Sequence, residues 1–278
     1  MQNKILYIAA FLLTQICLYV NPVDAHMGEH DSIILLNQKI KNDEKNASLY
    51  LERGRQHMLA GHVEPAMLDF STAESLDPDN DFADFYRAEL FLENGWYVSS
   101  EYYLKKFIEN NPEDTTALIY LGRALSYRNK GNEATLVYNR VLKLIPNPTP
   151  EFYNEMADSY LAEGNYSGAI GILDMGIGKL GYNTFLQNKA LNIELGRGMS
   201  REALSRVDKL IKYSPQKEKW LYTKGRILES MDRKNEARNS YKSALELLSS
   251  RPYNKQEIKA LVELKKEISE SLDRLSQK

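Results

Sequence analysis

The chain has 278 residues, 43% apolar and 27% charged, with 36 Lys and Arg against 38 Asp and Glu for a net charge of −2. That balance describes a folded globular protein and supplies no dominant basic field, which argues against a nucleic-acid binder. A single cysteine, Cys17, leaves no disulfide framework.

The first element, residues 1–25, reads as a secretory leader. Lys4 precedes an apolar run from Ile5 to Val20, broken only by Thr14 and Gln15, and Asn21-Pro22-Val23-Asp24-Ala25 follows. The run is short for a membrane span, which needs about 20 apolar residues, and Val23 with Ala25 suits signal-peptidase cleavage. Export is therefore expected, to a bacterial periplasm first and to the exterior second, with no stable span after cleavage. Thr14-Gln15-Ile16 ahead of Cys17 lacks the small residues of a lipoprotein signal. Cleavage would make His26 the amino terminus, with His30 four residues on. An N-terminal histidine chelates copper or zinc through its amine and ring, so His26 and His30 are the candidate metal ligands; the simpler reading is an unstructured end. No other cofactor is implied.

Residues 26–46 hold an extension and a helix from Asp31 to about Asn42, with Ile33, Leu36 and Ile40 on one face. A periodic body follows. Ala66, Ser100, Ala134, Ala169, Ala203 and Ala237 recur every 34 residues with one step of 35, dividing the chain into 47–80, 81–114, 115–148, 150–183, 184–217 and 218–251. Counting within each unit, small residues hold position 8 in Gly54, Ala88, Gly122, Ala157 and Gly225. Large ones hold position 24, in Phe70, Leu104, Tyr138, Leu173, Val207 and Tyr241. Pro78, Pro112, Pro146 and Pro215 close units. A period of this length marks a stacked helical array in place of a closed globular core.

This pattern resembles the tetratricopeptide repeat. The resemblance implies an all-α, right-handed superhelical solenoid of six helix pairs, each an A helix antiparallel to a B helix, with flanking N- and C-terminal helices. Departures mark looser units: in the fifth, Leu191 stands at the small position 8, Glu194 at the aromatic position 11 and Leu210 at the small position 27, where unit two has Phe107. In unit four Gly181 replaces the exit proline and is expected to give a left-handed helix stop. Residues 252–278 form a capping helix, with Asn254 and Glu257 as a capping box and Ile258, Leu261, Ile268, Leu272 and Leu275 as its stripe. Covering the last repeat is favoured over a coiled-coil contact, because the stripe lasts under four heptads.

The search for chemistry mostly eliminates candidates. Gly176 to Gly181 matches G-x-G-x-x-G, yet it ends a helix with no strand before it, so packing is its expected role. Asp77, Asp79 and Asp81 lack the glycine and distal glutamate of a calcium loop. His57 takes the aromatic position 11 of the first unit and reads as a packed ring, and His62 lies in the turn beside Gly61. With no constellation for nucleophilic or acid-base work, an enzyme is not expected.

In this family the A helices line a concave groove, and positions 5, 9 and 12 share one face. The resemblance thus assigns a partner-binding groove to Leu51, Arg55 and Met58; Phe85, Tyr86 and Glu89; Ile119, Tyr120, Arg123 and Tyr127; Asn154 and Asp158; Asn188 and Asn192; Tyr222 and Arg226. A protein or peptide is the implied guest, aromatic side chains giving contact area and arginines pairing carboxylates. Leu51 and Arg55 stand where chaperone-tail clamps carry lysine and asparagine, so that subtype is not implied. Charge is also uneven: residues 43–114 hold 16 acidic and 6 basic side chains, residues 197–278 hold 12 acidic and 20 basic. That gradient suits solubility, orientation of a partner, or self-association through acidic and basic ends.

Overall fold

The computed structural model describes residues 22–250 and 258–276, and among these the regular structure is wholly α-helical. Helix α1, Pro22–Asn42, comes first. The repeats follow as A and B pairs: α2 Ala47–Leu59 with α3 Val63–Leu76; α4 Phe82–Glu93 with α5 Tyr97–Asn110; and α6 Thr115–Tyr127 with α7 Gly131–Leu144. Three more are α8 Pro150–Ala162 with α9 Tyr166–Leu180, α10 Thr184–Gly196 with α11 Ser200–Tyr213, and α12 Lys217–Ser230 with α13 Lys234–Ser250; α14, Ile258–Ser276, ends the series. The chain groups into two compact units, Met1–Arg128 and Asn129–Lys278, a division inside the third repeat that puts α6 in the first and α7 in the second. The apolar run from Ile5 to Val20 and the Asn254 and Glu257 capping box lie outside the described residues.

Small-against-large pairing closes the helix pairs that lie within one unit. Ala66, Ser100, Ala134, Ala169, Ala203 and Ala237 are all fully buried, as are Phe70, Leu104, Leu173, Val207 and Tyr241 at position 24. A Cβ added to Gly54 would stand 2.6 Å from the Phe70 ring, and one on Gly225 2.3 Å from Tyr241, so these large rings lie directly on helix backbone. Burying each such ring contributes about 1.5–3 kcal/mol. Ser100, the one polar residue in its series, donates its hydroxyl to the Ala88 carbonyl at 2.8 Å and leaves no unsatisfied group behind. Gly176 behaves likewise: a Cβ there would meet Tyr153 at 2.7 Å, the packing role expected for this end of the G-x-G-x-x-G match.

Every A helix stops on a residue in the left-handed region at position 15. Gly61, Gly95, Gly164 and Gly198 take φ of 69° to 76°, and Asn129 and Asp232 take 57° and 58°. In five repeats the amide five residues beyond position 11 returns to its carbonyl, as from His62 to His57 at 2.8 Å, which satisfies an orphan carbonyl at the helix end. Side-chain caps then start several A and B helices: Asp114 accepts from the Ala117 amide, Thr149 from Phe152, Asn165 from Gly168 and Asn183 from Leu186.

Two expectations require correction. Helix α1 begins at Pro22, nine residues before Asp31, because the property that lets proline interrupt a helix from within also suits it to the first helical position. Its face is as expected, with Ile33, Leu36 and Ile40 buried and Asn37 accepting from Arg53 of α2 at 2.7 Å. Gly181 adopts φ 77° and ψ −158°, a region almost reserved for glycine and distinct from the left-handed helical stop. The fifth repeat is packed more loosely, as expected, and has an ion pair in place of packed rings. Leu191 and Leu210 are buried, and Glu194, 2% exposed, accepts from the Arg206 Nε at 2.9 Å and Nη2 at 2.7 Å. Arg206 also reaches Asp174 and Gln187. Burial opposes its charge, but these acceptors outweigh that and hold its pKa above the ordinary value.

Helix α14 covers the last pair as a cap. Ile268 and Leu275 are buried against Tyr241, Ala244 and Leu248 of α13. Arg274 pairs with Glu229 of α12 at 2.9 Å, and Arg238 donates to the Leu275 carbonyl at 2.6 Å.

Candidate binding faces of the A helices

In the first unit the A helices carry a run of rings and guanidinium groups. Arg55 on α2 is exposed and lies over the Tyr86 ring at 6.0 Å; Tyr86 packs edge-on to Phe85 at 5.6 Å. Phe85 on α4 stacks on Tyr120 of α6 at 5.9 Å with planes 13° apart, and Arg123 lies over Tyr120 at 5.5 Å. The Tyr120 hydroxyl donates to Glu89 at 2.8 Å. Burial first, and then that carboxylate, push the phenol up to about 12. Ile119 is half-buried beside it, and Tyr127 is exposed and stacked on Tyr97 at 4.6 Å.

Leu51 and Met58 do not belong to this surface. Both are buried in an apolar cluster with Phe70, Ala73 and, from the next A helix, Ala83 and Leu90. They are the apolar members of the first repeat's predicted face, and burial against the neighbouring helix wins over solvent. His57 is half-buried, as a packed ring at position 11 should be, and burial holds its pKa below the ordinary 6.5.

In the second unit the predicted face opens into a cleft of about 860 Å³ between α8 and α10. Asn154, Asn188 and Asn192 line it together with Phe185, Tyr166 and Arg197. Asp158 sits at its edge, accepting from Asn154 at 3.3 Å and pairing with Lys189. Arg197 lies 4.2 Å above the Tyr166 ring, and Phe185 is half exposed. These last three escape a reading by positions 5, 9 and 12 because they stand at positions 14, 17 and 2. An exposed phenylalanine at the start of an A helix was the available signal.

Tyr222 and Arg226 stand apart from an open face. Tyr222 packs into the cluster under α14, and both line clefts walled by Leu261, Leu264 and Glu267 of that helix. The cap occupies the side of α12 on which they stand.

Among the described residues no group of three or more His, Cys, Asp and Glu is placed to hold a metal ion, and no helix is long and apolar enough to cross a membrane. The side chains of His26 and His30 lie outside the described residues.

A family profile described as Tetratricopeptide repeat matches residues 220–247, the α12 and α13 pair. That pair is a tetratricopeptide repeat. The fold is that of all-α repeat solenoids: a tetratricopeptide repeat protein from Parabacteroides merdae superposes with a TM-score of 0.53 at 20% identity, over 87% of this chain and 92% of that one. Pseudomonas aeruginosa pilF does so with a TM-score of 0.54 at 18% identity, over 69% and 86%. In sequence the chain is 27% identical to human DnaJ homolog subfamily C member 3 over 170 residues, 56% of the chain and 34% of the relative. The bovine counterpart is 33% identical over 102 residues, 37% of the chain and 20% of the relative. The chain thus spans about a third or less of the length of these curated relatives. Tetratricopeptide repeats typically serve as protein-interaction scaffolds without catalytic function.

Proposed function

We propose that this protein is a non-catalytic scaffold that binds a segment of a partner protein against the open faces of its A helices. The observation that carries the reading is the cleft between α8 and α10, where three asparagines, Phe185 and Arg197 converge. Amides offer donors and acceptors to a peptide main chain, while the ring and guanidinium supply an anchor of the kind that dominates binding energy. The ring and arginine run of the first unit is a second surface of the same chemistry, and the Leu51 and Met58 positions are no part of it. Export follows from the leader: Lys4, the apolar run and the small residues Val23 and Ala25. Mass spectrometry of the secreted or periplasmic chain should find it beginning at His26; a chain retaining Met1 would refute the export reading. For the faces, affinity capture should lose partners when Asn188→Ala is combined with Phe185→Ala, or Tyr120→Ala with Arg123→Glu. Unchanged capture of every partner by both double variants would refute binding at the A helices.

A further inference from the structure

The turn between A and B helices brings one pair of repeat positions together by backbone hydrogen bonding. The amide at position 16 donates to the carbonyl at position 11 at 2.8–2.9 Å in repeats one, two, four, five and six. The residues so paired are His57 with His62, Phe91 with Trp96, Tyr160 with Asn165, Glu194 with Met199 and Leu228 with Arg233. In the second repeat this places two rings 5.5 Å apart. In the first it places two imidazoles there, centroids 5.6 Å apart, with their Nδ1 atoms facing at 3.4 Å.

That separation has a chemical meaning. Two Zn–N bonds of about 2.0–2.1 Å opened to the tetrahedral angle set their nitrogens roughly 3.3–3.4 Å apart. A square-planar ion would draw them to roughly 2.8–2.9 Å. The backbone holding the rings is fixed by a second bond, Gly61 to the Met58 carbonyl at 3.0 Å, and by the left-handed Gly61 at φ 74°. Binding therefore requires little ordering of the chain. Nearby charge is balanced, because Arg53, one turn before His57, donates twice to Asp69 at 2.8 and 2.5 Å. His62 is exposed, so an ion has access from solvent.

We propose that His57 and His62 form a two-histidine Zn²⁺ site, the two remaining tetrahedral positions being taken by water. Zinc there pins the end of α2 to the start of α3 in the first repeat. The site is separate from His26 and His30 and independent of what the A-helix faces bind.

The test is titration of the full chain with zinc chloride by calorimetry, with cobalt chloride in parallel. The wild type should bind zinc at this site, and cobalt should give the intense visible bands of a tetrahedral ion. His57→Gln with His62→Gln should weaken zinc binding at least about tenfold. His62→Ala alone should do the same; His62 makes no side-chain cap bond, so this variant keeps the fold, which circular dichroism verifies. His26→Gln with His30→Gln should leave this binding within about twofold of wild type. Equal affinity in His62→Ala and wild type, loss only in the His26 and His30 variant, or the weak cobalt bands of an octahedral ion would each overturn the proposal.

Discussion

At the scale of single residues, two titratable groups make opposite use of burial. Arg206 is held in the fifth repeat by Glu194 and Asp174. Removing one partner of a buried pair strands the other charge, so Arg206→Met should cost about 3–5 kcal/mol, whereas Arg206→Met with Glu194→Leu should restore most of it. Urea denaturation of the single and double variants checks this, and equal losses would mean that the ion pair does not fill the interface. Tyr120 titrates late because it is buried and its hydroxyl donates to Glu89. Below pH 10 the phenol is protonated whether folded or unfolded, and its contribution is whole. As pH rises from 10 towards about 12 the unfolded chain ionises first, and stability is lost across that window. Carbon-13 NMR of the tyrosine Cζ atoms should show Tyr120 unshifted at pH 10.5, and Glu89→Gln should move its midpoint back towards 10.

At the scale of the helix pair, the recurrent device is the left-handed residue at position 15. Glycine adopts it without strain; asparagine and aspartate do so at a cost of about 1 kcal/mol or less. Asp232→Gly should therefore raise thermal stability slightly, and Gly198→Ala should lower it by about 1 kcal/mol, measurable as opposite shifts in Tm. The small-large alternation that closes the pairs is written in local residue types at a fixed period. Ala66 and Phe70 announce their roles without reference to anything distant, so that part of the fold was legible. Gly181 was not, because the sequence tells that glycine is present and not which of its several open regions the chain enters. The Glu194 and Arg206 pair was missed for another reason: the two residues are twelve apart on different helices, and position counting treats Glu194 as a defect in its series and does not mark Arg206 at all. Met58 shows the same limit at the binding face. Helical spacing fixes the direction of a side chain, while the neighbouring helix decides whether solvent or protein lies there.

At the scale of the whole molecule, the two units differ in surface chemistry. The first is rich in acidic residues and rings, whereas the last two repeats and the cap are basic. The sequence assigned Tyr222 and Arg226 to the A-helix face but carried no sign that α14 would pack there, since a capping stripe states its own apolar side and not its docking angle. B helices also expose apolar side chains, with Leu68 and Leu136 each 69% exposed at position 22 of their repeats. They offer a partner an alternative to the A helices. The decisive measurement is site-specific photocrosslinking in cells, with benzoylphenylalanine placed at Arg55 or Phe185 on A helices and at Leu68 or Leu136 on B helices. Partner adducts from Arg55 and Phe185, with little from Leu68 and Leu136, are the predicted result. Adducts confined to Leu68 and Leu136 would contradict binding at the A-helix faces.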